Sequence, residues 1–354
     1  MINILAIQGS PRGRESNTEI ILRKFLEGAI SVGAQAETIY LKEKKVRPCI
    51  GCYTCWTKTP GVCAIKDDMA GLLEKVCECH IIIYATPLYI YTVSALLKAF
   101  QERLIPLLDP HLIKIGDAHR HPNRYETNRR MVLVSNCGFP EIRHFDALRR
   151  MFRHIEESGS MPLVGEILVP SGELVRQESL KDLWKDTFEA LFRAGVEVVK
   201  NGQVSKEAEE IIQKPVLSPD DIAEMANIWW DSHLSGLAKG RPVTDTTMRD
   251  MKLVLRGMAA TLNSKAAGDL KAIIQFEVTG RQKGNWFLAI KNGKCIFNEG
   301  VAVNPSLTIK TPSEIWLAVA NKEIDGQQAL MDGKYNVQGD MTLLLSLKKL
   351  FTKK

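Results

Sequence analysis

Apolar runs alternate with amphipathic stretches from the first residues onward. Ile2 to Ile7 is a short apolar run, and Thr18 to Ile30 repeats its apolar residues at helical spacing. The alternation continues through Ala36 to Leu41, Met69 to Glu78, Ile81 to Ala85 and Val93 to Leu104. Met131 to Ser135, Phe145 to Glu156, Leu163 to Val169 and Leu180 to Val199 complete it. Short apolar runs separated by helices of ten or more residues predict an α/β fold: a doubly wound, five-stranded parallel sheet with helices on both faces. This first unit is expected to span residues 1–200.

The pattern then changes. A charged helix is predicted around Lys206 to Ile212, followed by Pro215, Ser218 and Pro219, with Ser218 placed to cap a helix through Trp229 and Trp230 to about Leu234. Gly236, Gly240 and Pro242 close the stretch, so residues 201–240 read as a helical linker. Residues 241–354 read as an α+β unit. A helix from about Thr246 to Leu262 precedes strands at Leu270 to Thr279, Trp286 to Ile290 and Lys294 to Asn298, joined by turns such as Lys291-Asn292-Gly293.

Composition adds limits. The 354 residues suffice for two ordinary cores, and 45% hydrophobic with 25% charged residues is globular composition. A net charge of +6 permits an acidic or phosphorylated partner but falls short of a nucleic-acid footprint. Thr86, Pro87, Thr92 and Ser94 interrupt the apolar stretch Ile81 to Leu97, so no transmembrane segment is expected. The N-terminus lacks a cationic region and a small-residue cleavage site, which predicts a cytoplasmic location. Cysteines there are expected as thiols or metal ligands rather than disulfides.

The first strand runs into Gly9-Ser10-Pro11-Arg12-Gly13-Arg14-Glu15-Ser16-Asn17-Thr18 and then a helix. Amides, hydroxyls and two arginines at a helix N-terminus make an anion site. The turn has neither the Lys-Ser/Thr pair of an NTPase nor the third glycine of a dinucleotide site, so a monophosphate suits it better; a polar loop capped by Ser16 or Asn17 is the plain alternative. A second strand end carries Thr86-Pro87-Leu88-Tyr89-Ile90-Tyr91 before a helix, at the crevice where such a sheet takes its ligand. In these segments the sequence resembles the NAD(P)H-dependent FMN reductase family of flavodoxin-like proteins. The resemblance implies FMN, with Ser10, Arg12, Ser16, Asn17 and Thr18 at the phosphate, and Pro87, Leu88, Tyr89 and Tyr91 at the isoalloxazine. Asn136, Cys137 and Gly138, in the loop after the fourth strand, are expected as a third flavin contact.

Four of the eight cysteines, Cys49, Cys52, Cys55 and Cys63, fall in one loop as C-x2-C-x2-C-x7-C. Thiolate-only sets suit a [4Fe–4S] cluster or zinc, and free or exchanging thiols remain a third reading. The spacing resembles the iron–sulfur flavoproteins, a subgroup of the same family, which implies one [4Fe–4S] cluster near the flavin. Cys77, Cys79 and Cys295 read as core or edge thiols. No Ser/His/Asp order, HExxH or paired carboxylates point to a hydrolase. His111 to Arg130, rich in His and Arg, offers a clamp for nicotinamide phosphates or a dock for an acidic electron carrier, or more simply a solvated basic loop.

In the last unit, Gly284 to Gly293, Pro305 to Lys310 and Gly333-Lys334-Tyr335-Asn336-Val337-Gln338-Gly339-Asp340, followed by the apolar helix Met341 to Phe351, resemble the sterol carrier protein type two domain. That resemblance implies an apolar tunnel for a lipid or acyl-CoA, with Trp286, Phe287, Ile315, Trp316, Leu344 and Leu347 as walls or as filled core. Together the resemblances imply an electron-transfer flavoprotein, a homo-oligomer, taking electrons from NAD(P)H or ferredoxin to an acceptor that could be apolar. An iron-free NAD(P)H:FMN or quinone reductase, and a lipid carrier or redox sensor without catalysis, are the competing readings.

Overall fold

A computed structural model describes residues 1–125, 128–158, 161–234 and 248–351. Gly236, Gly240, Pro242 and the start of the helix expected from Thr246 lie outside the described residues. The chain divides into two compact units, Met1–Val175 with Lys185–Pro215, and Arg176–Trp184 with Val216–Lys354. The stretch read as a linker therefore divides between them after Pro215.

The first unit runs β1 (Asn3–Gln8), α1 (Asn17–Ser31), β2 (Gln35–Tyr40), α2 (Met69–Glu78), β3 (Ile81–Pro87), α3 (Ala95–Glu102), β4 (Ile113–Ile115), β5 (Ala118–Arg120), β6 (Arg130–Asn136), α4 (Asp146–Glu157), β7 (Leu163–Val169), α5 (Lys185–Lys200) and α6 (Lys206–Gln213). Its main sheet is parallel throughout, in the order β2-β1-β3-β6-β7. Burial on both faces explains the continuous apolar runs: Ile4 to Ile7, Ile81 to Ala85 and Met131 to Val134 are each at most 3% exposed. The order reverses between β1 and β3, which opens a crevice at their carboxyl ends. The segment from His111 onward differs from a plain loop: β4 and β5 form an antiparallel hairpin closed by Gly116-Asp117. Its three-residue strands are too short for periodicity to announce them.

Helices α1 and α5 touch through their backbones. A Cβ added at Gly195 would stand 1.9 Å from the Phe25 carbonyl oxygen, and one at Gly28 would stand 1.9 Å from that of Phe192. Only glycine permits this approach from either side.

The second unit contains α7 (Pro219–Leu234), α8 (Met251–Ala260), α9 (Ser264–Ala267), β8 (Ala272–Thr279), β9 (Gly284–Lys291), β10 (Lys294–Glu299), β11 (Leu307–Pro312), α10 (Ser313–Ala320), α11 (Gly326–Met331), β12 (Asn336–Gly339) and α12 (Met341–Leu350). Its sheet order is β10-β9-β8-β11-β12, and only β8 and β11 pair in parallel. Side-chain oxygens cap the helices: Ser218 Oγ, the expected cap, accepts from Asp221 N at 3.2 Å, and two caps not expected from the sequence are Asp250, accepting from Leu253 N at 3.0 Å, and Asp340, accepting from Thr342 N at 2.8 Å. Ile274, Phe276, Leu288, Leu307 and Ile309 form one fully buried face of the sheet. No helix among the described residues is long and apolar enough to cross a membrane.

The Gly195→Ala variant is expected to destabilise the first unit by about 1–3 kcal/mol, because the helices must part to admit the methyl group. Urea unfolding followed through the tryptophan signal checks this, and an unchanged midpoint would refute the backbone contact.

Candidate functional site

A cleft opens at the carboxyl ends of β1, β3 and β6, lined by Ser10, Arg12, Ser16, Asn17, Thr18, Pro87, Leu88, Tyr89, Asn136, Cys137, Gly138 and Glu173. The structure thus brings together every residue expected at the flavin except Tyr91. The reason for that exception is local. Tyr89 and Thr92 pair across a tight turn whose central residues, Ile90 and Tyr91, have φ of 46° and 64°, and the turn carries Tyr91 towards His144, 6.2 Å away ring to ring. His144 stacks in turn on Phe139 at 4.2 Å.

The turn after β1 is organised by Gln8, a residue the sequence reading passed over. Its fully buried side chain accepts from Ser10 N at 2.8 Å and donates to the Gly13 carbonyl at 2.9 Å and to Ser16 Oγ at 2.8 Å. Ser16 caps α1 by accepting from Glu19 N at 3.1 Å. Gly9 must be a glycine, since a Cβ there would meet the Leu97 Cβ at 2.7 Å. On the far side of the turn, Thr18 Oγ1 donates to Asn136 Oδ1 at 2.7 Å, tying the helix to β6.

The two arginines of the turn part company. Arg14 pairs with Glu43 at 3.1 Å and lies 3.9 Å over the Tyr40 ring, away from the cleft. Arg12 faces the cleft, where Glu173 brings in a carboxylate: Asn17 Nδ2 donates to it at 3.1 Å and Arg12 stands 3.8 Å away. Two donors at the N-terminus of α1 therefore already converge on one anion, the arrangement a phosphate needs. Cys137, at the same cleft, is buried, which pushes its thiol up to about 11.

Cys49, Cys52, Cys55 and Cys63 line a second, largely apolar pocket together with Ile50, Ile65, Arg103, Ile105 and Pro106. All four are free thiols. Burial raises the Cys55 thiol above its ordinary value, whereas a hydrogen bond with the Thr54 side chain lowers that of exposed Cys52. Among the described residues, no three His, Cys, Asp or Glu side chains close to the distance a single metal ion requires. The four thiols ring a cavity instead.

What fixes that loop is an ion pair the sequence did not announce. Arg103, at the end of α3 and 1% exposed, grips Asp67 with both terminal nitrogens, at 2.8 and 2.9 Å. It also donates to the carbonyl of Arg47 at 2.7 Å. Trp56 Nε1 donates to the Ile105 carbonyl at 3.1 Å and pins the middle of the loop.

In the second unit, Trp286 and Phe287 fall on opposite faces of β9, so they cannot wall one cavity. Trp286 shares the buried face, and Trp316 packs edge-on against Phe276 at 5.1 Å and Tyr335 at 5.7 Å. Phe287 sits opposite Gln275 and Asn298 on the other face. Ile315, Leu344 and Leu347 are half-buried. The expected wall therefore loses Phe287 by the strand's own two-residue period.

Two family models match the chain, NADPH-dependent FMN reductase over residues 2–154 and the SCP-2 sterol transfer family over residues 251–352. The chain is 40% identical over 106 residues to an iron–sulfur flavoprotein of Methanocaldococcus jannaschii, covering 30% of this chain and 53% of that protein. It thus spans about half the length of that relative. It is 31% identical over 180 residues to an iron–sulfur flavoprotein of Archaeoglobus fulgidus, covering 50% of this chain and 73% of that one. Among solved structures, an FMN-dependent NADH-azoreductase of Bacillus anthracis in complex with FMN aligns over 56% of this chain and 100% of that chain, with 12% identity and a TM-score of 0.45.

Burial alone would raise the Asp67 carboxyl, but the Arg103 fork and the backbone N–H groups of Arg47 and Met69 outweigh it and bring it from 3.8 to about 2. A carboxyl lowered by folding contributes stability that is complete above about pH 5 and is lost as pH falls towards 2. Asp67→Asn should therefore cost about 2 kcal/mol of unfolding free energy near pH 7 and little near pH 2. A pH-independent loss in urea titrations would contradict the ion pair's role.

Proposed function

We propose, for a chain that belongs to the iron–sulfur flavoprotein group of the NADPH-dependent FMN reductase family and carries an SCP-2 sterol transfer domain, that it is an FMN-dependent oxidoreductase of the cytoplasm. The observation that carries this reading is the cleft itself, where buried hydroxyls and amides meet Arg12 at a helix N-terminus and an apolar wall faces them. When bound, FMN supplies two-electron chemistry with a nicotinamide, and a cluster supplies one-electron chemistry with a carrier.

The chain's own groups bind and orient. Arg12, Asn17, Ser10 and the N–H groups opening α1 take the phosphate, and Ser16 and Thr18 hold that end of the helix in place. Pro87, Leu88 and Tyr89 offer the flat apolar side against which an isoalloxazine packs, and Asn136, Cys137 and Gly138 close the other side. Gln8 acts at one remove by fixing the turn. Glu173 leaves the two donors when a phosphate arrives; at 59% side-chain exposure it is free to swing into solvent.

Cys49, Cys52, Cys55 and Cys63 would hold a [4Fe–4S] cluster. The donor set fits: four free thiols in one apolar pocket, in a family whose relatives are named for iron and sulfur. Electrons would enter from NAD(P)H or ferredoxin and leave to an apolar acceptor. In the second unit, Trp286 on the sheet and Trp316 of α10, together with Ile315, Leu344 and Leu347, would line the place for the apolar ligand, a lipid or acyl-CoA. The second reading is an iron-free reductase; among the described residues the thiols do not close on the distance a single ion such as zinc requires, so in that reading they would be free thiols.

Anaerobic purification with assay of FMN, iron and acid-labile sulfide tests both. About one FMN with about four irons and four sulfides per chain is expected, and Cys63→Ser should lose the iron while keeping FMN. FMN without iron in the parent protein would establish the second reading. In the same assay Arg12→Ala should weaken FMN binding about tenfold or more, and Glu173→Gln should tighten it a few-fold by removing the competing carboxylate. Unchanged affinity in both would refute the phosphate assignment.

A further inference from the structure

Arg103 has one more donor than its partners use. Its two terminal nitrogens make four bonds, two to the Asp67 carboxylate, one to the Arg47 carbonyl at 2.7 Å and one to the Ile65 carbonyl at 3.5 Å. The fifth N–H, on Nε, is buried and has no hydrogen-bond partner. A buried donor left unsatisfied is costly, and more so on a charged group, so an acceptor is to be expected. Arg103 lines the cysteine pocket with Cys63 and lies within interaction distance of its side chain. Sulfur at the Cys63 corner is thus the acceptor the geometry offers.

We propose that the Arg103 Nε–H donates to sulfur at the Cys63 corner of the thiolate site, and that Arg103 is a positioning residue setting the reduction potential of the group held there. The proposal rests on the four cysteines holding a [4Fe–4S] cluster. A hydrogen bond to a ligating sulfur stabilises the more negative, reduced state more than the oxidised one, so it raises the potential. One electron enters in the reduction and no proton is needed. Asp67 neutralises much of the guanidinium charge, so the two residues act in opposite directions: Arg103 lifts the potential and Asp67 restrains it.

Opposite signs separate this role from a clamp that merely holds the loop. Three proteins, the parent, Arg103→Lys and Asp67→Asn, would be assayed for iron and sulfide and titrated with dithionite under redox mediators, followed by visible absorbance and electron paramagnetic resonance. Arg103→Lys keeps a cation opposite Asp67 but has no fork. Its midpoint should fall by a tenfold change in the one-electron equilibrium, 59 mV. Asp67→Asn should raise the midpoint, even if it lowers the iron content. Should Arg103→Lys lose its iron, the Asp67→Asn shift alone decides: a rise supports the proposal, and a fall or no change overturns it. Midpoints that move together, or stay unmoved with iron retained, also overturn it. A parent protein without iron and sulfide defeats the cluster reading itself, and this proposal with it.

Discussion

The first unit depends on one buried ion pair. Between Leu41–Glu43, a single short turn of helix, and α2 at Met69 the chain has neither strand nor longer helix, so no ladder of backbone bonds shapes the segment that carries four cysteines. A stretch of that length without regular structure is uncommon in a compact fold and needs anchoring from outside. Arg103 supplies it, taking hold of the segment at residue 47 on one side and at 65 and 67 on the other. Burying two charges is costly unless both are fully bonded, and here the carboxylate also accepts from Arg47 N at 2.9 Å and Met69 N at 3.1 Å. The pair is thereby directional, and it closes the loop in one conformation around the thiols.

The cleft at the carboxyl ends of β1, β3 and β6 is held by a different device, a neutral one. Gln8 ends β1 with both its amide oxygen and its amide nitrogen turned into the following loop. A fully buried amide that lost these partners would carry the desolvation cost of the group, so the turn and the side chain stabilise each other. The charged partners, Arg12 and Glu173, remain partly in water, which suits a site that must exchange one anion for another.

Much of this was legible in the sequence, for physical reasons that differ by element. Parallel strands buried on both faces are written as unbroken apolar runs, and the three central strands, β1, β3 and β6, stand where those runs are, whereas the edge strand β2 mixes polar and apolar residues. Most residues that line the cleft lie at strand ends next to helix starts, where the fold class itself points. What stayed hidden involves contacts between distant positions: Glu173 reaches Asn17 across 156 residues, and Arg103 reaches Asp67 across 36. Nothing local distinguishes Arg12 from Arg14 either; the neighbouring strand does, by offering Tyr40 and, just beyond it, Glu43 to one of them. Trp286 and Phe287 part for another reason: they are adjacent in β9, and adjacent residues in a strand face apart.

Helix α3 has its two ends in two different sites. Ser94, its N-cap, donates from Oγ to the carbonyl of Gly9 at 2.6 Å, in the turn that opens the cleft. Its C-cap is Arg103, in the wall of the cysteine pocket. Eight residues of helix span about 12 Å, and a helix neither stretches nor compresses appreciably. The helix is therefore a ruler: it sets the separation of the cleft and the cysteine pocket by its number of turns, and inserting or deleting a single residue in it would change that separation and rotate one against the other.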